Sequence, residues 1–148
     1  MISAVRSTWV AMIYLFIILI AIQFYLAGHG AFEFHNATAA GRDAGWDPHR
    51  TLGDIMVLLS LLQLLLALAA RLPRGLLIRA VGLFVLMVLQ FVLAQLGDSV
   101  STRFIAALHP LNALAITGLV IGLVIESRPF SPIPRFRPGV SPEAIRST

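Results

Sequence analysis

The sequence predicts an all-α integral membrane protein, an up-down bundle of four helices. The chain has 148 residues, of which 58% are hydrophobic and only 12% are charged, and its mean hydropathy is +0.88. One small soluble domain could not bury that much apolar surface. The apolar residues fall into four runs, each close to the roughly 20 residues that a helix needs to cross a bilayer. The runs lack strand-like alternation, so helices are the form that satisfies every backbone polar group in lipid.

The transmembrane domain is predicted over residues 1–128. Its first apolar run follows Arg6 and is longer than the apolar region of a secretory signal peptide, so we expect it to stay as a membrane span. Asp47 and Pro48 precede the second run, and this pair is typical of a helix N-cap and first helical position. The second helix should therefore begin at Pro48. The four predicted spans are residues 9–27, 48–70, 76–96 and 104–125.

The placement of the basic residues predicts the orientation of the bundle. All 11 basic residues are Arg, and eight of them lie before the first span, at or beside the connection between the second and third, or after the fourth. Cytoplasmic segments carry an excess of basic residues, so both termini should be cytoplasmic and the loop at residues 28–50 should face outward. Residues 129–148 are rich in Pro and Arg and should form an extended cytoplasmic tail at the lipid surface. The eight are Arg6, Arg71, Arg74, Arg79, Arg128, Arg135, Arg137 and Arg146.

The composition also excludes several classes of protein. The chain has no cysteine, which rules out disulfides, thiolate metal sites and cysteine nucleophiles. Its arginines are scattered between apolar runs, so the expected partner is the lipid bilayer and not nucleic acid. No serine is flanked by the glycines of a nucleophile elbow, and no carboxylates are paired inside the spans. We therefore expect an electron carrier or an accessory subunit and not a hydrolase.

Polar residues in the spans concentrate in the outer half of the bundle. Such residues are costly in lipid and mark the first place to look for function. On span two, residues at alternating steps of four and three positions form one stripe that should face the bundle. The stripe comprises His49, Gly53, Met56, Ser60, Gln63 and Ala67, and the four histidines of the outer side are His29, His35, His49 and His109.

The positions of His49 and His109 predict that the protein binds a b-type haem and uses it for electron transfer. Spans two and four of an up-down bundle are usually diagonal, and a haem between diagonal helices takes one imidazole from each. His109 lies about four residues deeper than His49, roughly 6 Å along a helix, which makes His29 the reserve ligand. Gly53 would leave room for the flat ring. Of the other predicted site residues, Arg50 or Arg103 would meet the haem propionates, and Asn112 or Gln95 would orient an imidazole.

Three other interpretations of the outer polar residues are open. The histidines would be purely structural if each met one hydrogen-bond partner, as Asn112 or Gln95 would provide for His109. A quinone would bond to an imidazole and to amides near the bilayer edge, alone or beside a haem. A zinc or copper ion would take imidazoles and a carboxylate from the loop after span one. That metal set would be His29, Glu33, His35 and His49, with His109 below them.

A further alternative is a protein that binds no cofactor, and it would depend on a different set of residues. A structural or accessory subunit would pack against a larger membrane assembly through the small residues of span four. The spacing of Gly118 and Gly122 permits close approach of two helices, inside the bundle, in a homodimer or in a larger complex.

Two strings of the sequence resemble a family of small bacterial membrane proteins. They are Asp47-Pro48-His49-Arg50-Thr51-Leu52-Gly53 and Leu108-His109-Pro110-Leu111-Asn112-Ala113. Together they resemble the paired His-Arg-x-x-Gly and His-Pro-x-Asn signatures of the DUF6220 group, over most of the chain apart from the Pro-rich tail. This resemblance implies a four-span protein of the bacterial cytoplasmic membrane and carries no function.

The same two turns also resemble the haem-ligating turns of b-type cytochromes such as the cytochrome b561 and haem A synthase groups. Those proteins place ligands for more than one haem or on both sides of the bilayer, whereas this sequence has candidates for one outer site. The resemblance implies His49 and His109 as a ligand pair.

Overall fold

A computed structural model describes residues 2–33, 38–97 and 100–128. The described part is helical throughout apart from its short connections. Its elements are α1 (Ile2–Glu33), α2 (Ala39–Ala69), α3 (Arg74–Leu96), a 3₁₀ helix (Val100–Thr102), α4 (Arg103–Ala106) and α5 (His109–Ser127).

Four helical segments are long and apolar enough to cross a membrane. They are Ile2–Glu33, Ala44–Ala69, Arg74–Leu96 and Arg103–Ser127. The protein is therefore a multi-pass membrane protein, and the predicted all-α four-helix architecture is confirmed. The predicted tail at residues 129–148 lies outside the described residues.

The helices form an up-down bundle in which neighbours in the chain are neighbours in space. Helix α1 packs against α2 and α5, and α3 packs against the same two helices. Helices α2 and α5 therefore occupy one diagonal, as expected from the connectivity. One end of the bundle carries Arg6, Arg71, Arg74, Arg79 and Arg128, and we call it the arginine end. The other end carries His29, His49 and His109, and we call it the histidine end.

The centre of the bundle is closely packed between its ends. Trp9 and Phe16 of α1 and Leu83 of α3 are almost completely buried, together with Leu123 of α5. The inward stripe predicted on α2 is confirmed, because Met56, Ser60, Gln63 and Ala67 are all buried. Large apolar side chains on the outside are exposed, as lipid-facing positions of a membrane bundle should be.

The arginine end is held together by contacts between helices. Arg79 of α3 and Glu126 of α5 form an ion pair at 2.6 Å, and Arg6 Nε donates to Ala70 O at 3.3 Å. Arg71 follows α2 with a positive φ of 49°, and the amide of Leu72 donates to Ala67 O. This is the left-handed helix ending that usually takes glycine.

One predicted helix start was wrong, and one predicted span is interrupted. Helix α2 begins at Ala39, and Pro48 lies inside it and not at its first position. Proline removes one backbone hydrogen bond, but tertiary contacts upstream hold the helix, because Gly45 and Trp46 pack against Gly30 of α1. The fourth predicted span is interrupted at residues 107–108, and α5 begins at His109 with Pro110 in its first turn. Proline cannot bond back to the preceding turn, so the helix restarts there.

Candidate functional site

His49 is fixed to helix α1 by two reciprocal hydrogen bonds. Its Nδ1 lies 3.2 Å from the backbone oxygen of Gln23, and the side-chain amide of Gln23 donates to the backbone oxygen of His49 at 2.8 Å. The ring is partly buried, and Trp46 packs edge-on against it with ring centres 5.6 Å apart. The orientation of this imidazole is therefore set by α1 as much as by α2.

His109 is fixed to helix α3 in the same manner. Its Nδ1 lies 3.3 Å from the backbone oxygen of Gln90. Asn112, one turn further along α5, donates to the Gln90 side-chain oxygen at 2.7 Å and to Leu86 O at 2.9 Å. Asn112 is buried, so these two bonds satisfy its amide away from water.

The two imidazoles meet across the α2–α5 diagonal. Their ring centres are 6.2 Å apart and their planes are inclined by 59°. The predicted depth difference of about one turn therefore does not separate the rings. Because each Nδ1 faces a backbone carbonyl, each Nε2 is the nitrogen left for a ligand. Among the described residues, neither Nε2 has a hydrogen-bond partner.

The diagonal helices α2 and α5 carry the same pattern of side-chain sizes between the imidazoles and the arginine end. One turn towards the arginine end, the residues are small, Gly53 on α2 and Ala113 on α5. Two turns inside, they are the buried apolar Met56 and Ile116, which are 3% and 4% exposed. The two imidazoles therefore lie next to two small residues, with two buried apolar side chains further inside the bundle.

Gly53 makes room for a contact with the Gln23 side chain that was not predicted from the sequence. A Cβ built at this position would lie 3.2 Å from the Gln23 side-chain nitrogen. The missing side chain thus makes room for the amide that anchors His49, whether or not it also leaves space for a ligand. The Gln23 side-chain oxygen is buried without a hydrogen-bond partner in the described part of the chain.

The predicted arginines and the reserve histidine do not join the pair directly. Arg50 lies next to His49 in the chain and forms an exposed ion pair with Asp47 at 3.5 Å. Arg103 is exposed at the start of α4. His29 lies against Tyr25 of its own helix, with Glu33 at 3.9 Å.

The alternative metal set is not assembled in the part of the chain that the structure describes. Within residues 2–33, 38–97 and 100–128, no group of three or more His, Asp or Glu side chains is placed to hold a metal ion. His35 of that set lies outside the described residues.

Sequence reasoning missed Gln23 and Gln90 as partners of the histidines. Both were recognisable as polar residues near the outer ends of their spans, but their pairing with one histidine each was not. Gln95, which was expected to orient an imidazole, is exposed. The backbone oxygens of Gln23 and Gln90 contribute acceptors that no sequence pattern reveals.

The glycines of α5 have different surroundings. A Cβ at Gly118 would meet nothing within 4 Å, whereas one at Gly122 would lie 3.2 Å from the Arg79 guanidinium. Gly122 therefore gives room to the ion pair at the arginine end, and Gly118 is exposed on the outer surface.

Comparison with known proteins identifies a family but no characterised relative. The family described as "Family of unknown function (DUF6220)" matches residues 23–97, just over half of the chain. The match includes Gln23, His49, Gly53 and Gln90 and ends before His109. No curated protein matches the chain, and neither does any solved structure. The protein is a four-span membrane protein that belongs to the DUF6220 family.

Proposed function

We propose that this protein is a b-type haem-binding electron carrier whose iron is held between His49 and His109. The single observation that carries the proposal is the meeting of these two imidazoles across the bundle, with ring centres 6.2 Å apart. An imidazole nitrogen lies about 2 Å from a bound metal and about 1 Å from its own ring centre. A metal held by one nitrogen of each imidazole would therefore allow ring centres up to about 6 Å apart.

The anchoring of the rings supports the same assignment. Metal-ligating histidines commonly donate their second N–H to a backbone carbonyl, which fixes the tautomer and makes the ligating nitrogen more basic. Here both Nδ1 atoms face such carbonyls, at Gln23 and Gln90. One hydrogen bond each would also satisfy two structural histidines, so the separation of the two rings carries the assignment, and the unbonded Nε2 atoms of the described pair agree with it.

The residues next to the pair are small or apolar, as the binding of a flat apolar group would require. Gly53 and Ala113 lie one turn inside the two ligands, with Met56 and Ile116 beneath them. A haem supplies one-electron chemistry when it is bound, and its potential depends on axial ligands, burial and hydrogen bonding. The residues described here would hold the iron, fix the imidazoles and exclude water. Arg50 and Arg103 are exposed at the same end and would meet the anionic propionates.

We also propose that the histidine end faces outward from the cytoplasmic membrane and that both termini are cytoplasmic. Five arginines of the described residues lie at the opposite end, namely Arg6, Arg71, Arg74, Arg79 and Arg128. The positive-inside rule then places the arginine end in the cytoplasm. Electrons would be exchanged near the outer surface.

The test replaces each ligand in turn. His49→Ala and His109→Ala should each lose at least nine-tenths of the haem that co-purifies with the wild type, measured from the Soret absorbance per protein. His29→Ala is the matched control, because His29 lies at the same end but contacts Tyr25 and Glu33 instead of the pair. Equal haem content in all three variants would contradict the proposed ligation.

A further inference from the structure

Helix α2 carries a second regular stripe on its outer face. Starting from Asp47, exposed residues recur at alternating steps of four and three positions along the helix. This is the spacing of a coiled-coil seam, which keeps one face of a helix turned towards a partner. The stripe, here called the outer stripe, comprises Asp47, Thr51, Asp54, Leu58, Leu61, Leu65 and Leu68.

The lower half of the outer stripe is a row of large leucines. Leu58, Leu61, Leu65 and Leu68 are 68%, 40%, 52% and 51% exposed. A row of leucines facing lipid is ordinary in a membrane helix, since lipid is as apolar as leucine. The leucines by themselves therefore identify no partner.

Asp54 is an acidic residue at a position that would face lipid if no partner covered it. It is exposed on the outer stripe within the segment Ala44–Ala69, which is apolar enough to span a membrane. Measured from Ala69 it lies about 22 Å along the helix, which is inside a hydrocarbon core about 30 Å thick. A carboxylate in a membrane helix normally faces the bundle or a partner, and its short side chain cannot reach the interface as Lys or Arg does.

The described part of the bundle supplies no partner for this carboxylate. Asp54 has no hydrogen bond or ion pair within the described part of the chain. Arg50, one turn nearer the histidine end, contacts Asp47 instead, at 3.5 Å. By contrast, the acidic residue at the arginine end, Glu126, is paired with Arg79 at 2.6 Å.

Charge complementarity selects the occupant of the outer stripe. Two copies of α2 pairing in parallel would bring each stripe residue against its own counterpart, so Asp54 would meet Asp54. Like charges in that position oppose self-pairing. We propose that the outer stripe docks a transmembrane helix of another membrane protein, one that has an apolar face and an Arg or Lys at the level of Asp54.

The test uses designed single-span helices as probes. The full-length protein is labelled through Gly75→Cys, an exposed position with open space around it in a chain without other cysteines. It is reconstituted in phosphatidylcholine vesicles with leucine–alanine helices that carry Lys, Leu or Glu at the depth of Asp54. Energy transfer between the labels measures association. The Lys helix should bind at least tenfold more tightly than the Leu helix.

Two substitutions and a control make the result specific. Asp54→Leu should abolish the preference for the Lys helix, and Asp54→Lys should transfer the preference to the Glu helix. Leu65→Ala should weaken binding of the Lys helix several-fold, whereas Val85→Ala, at an exposed position on α3, should leave it unchanged. Equal binding of the Lys and Leu helices, or a preference that survives in Asp54→Leu, would overturn the proposal. So would a failure of Asp54→Lys to reverse it.

Discussion

Each histidine of the pair is positioned by a backbone oxygen on a neighbouring helix. Gln23 O serves His49 and Gln90 O serves His109. A backbone acceptor cannot be removed by substitution, so the imidazole orientation depends on how closely α1 and α3 approach the diagonal pair. The Gln23 side chain adds to this positioning, because its amide holds the His49 backbone at 2.8 Å.

Gln23→Leu should weaken haem binding without removing a ligand. Loss of the amide frees the start of the His49 turn, and removal of such supporting partners lowers metal affinity by about 10-fold to 100-fold. Titration of haem into the haem-depleted variant measures the change. Gln95→Leu is the matched control, because Gln95 is exposed near the same end of the bundle, and its affinity should equal that of the wild type. A Gln23→Leu variant with unchanged affinity would show that the side chain does not position the ligand.

At the scale of single residues, the sequence pointed to His49 and His109 but not to the residues that position them. His49 and His109 were recognisable because a histidine inside an apolar span is costly unless it has a partner or a function. The choice between Gln90 and Gln95 was not predictable, because five residues turn a helix by about 140° and either could face inward. The role of Gly53 beside Gln23 was also hidden, since it depends on a side chain from a different helix.

At the scale of elements, helices α1 and α2 approach each other closely at the histidine end. A Cβ at Gly30 would lie 2.8 Å from the Trp46 ring and 3.1 Å from Gly45 O. Trp46 in turn packs against His49. The Gly30 contact therefore sets the separation of the two helices next to the imidazole.

Gly30→Ala should lower the free energy of unfolding by about 1–3 kcal/mol, the usual cost of overpacking a close contact. Unfolding in mixed micelles of dodecyl sulfate, followed by tryptophan fluorescence, measures the change. Gly28→Ala is the control on the same helix, because a Cβ there would meet nothing within 4 Å. That variant should be unchanged or more stable by up to about 1 kcal/mol, as expected for alanine in a helix. Equal stability of the two variants would contradict the described α1–α2 contact.

The structure differs from the sequence-based expectation at two prolines, where the local preference of proline competes with contacts between helices. The Asp47-Pro48 pair has the local signature of a helix start, but Trp46 and Gly45 pack on α1 and continue α2 upstream. Pro110 had the opposite effect. The helix is interrupted just before it, although the apolar segment Arg103–Ser127 is continuous in the sequence. Local sequence carries the preference of proline, and contacts between helices decide which outcome is stable.

At the scale of the whole molecule, the length of the hydrophobic runs and the short connections account for the architecture. Four apolar runs gave four membrane-spanning helices, and short connections made sequential helices neighbours. The diagonal relation of α2 and α5 then followed, and with it the meeting of His49 and His109. Exact inter-ring geometry could not be predicted, because helix tilt depends on packing along the full length of the bundle.

The proposed orientation predicts opposite accessibility of the two ends. The chain has no cysteine, so single cysteines can be labelled without background. Thr38→Cys, in the exposed connection before α2, should react with a membrane-impermeant maleimide in intact spheroplasts. Pro73→Cys, in the exposed connection before α3, should react only after lysis. The reverse pattern would place the histidine end in the cytoplasm.

The most direct test of the haem assignment is an absorption spectrum of the detergent-purified protein from cells supplied with haem. The spectrum is recorded oxidised and then after reduction with dithionite. Ligation by His49 and His109 predicts a Soret band that shifts on reduction, narrow α and β bands, and one haem per chain. A colourless protein, or a haem spectrum that persists when both histidines are replaced, would contradict the assignment and favour an accessory role.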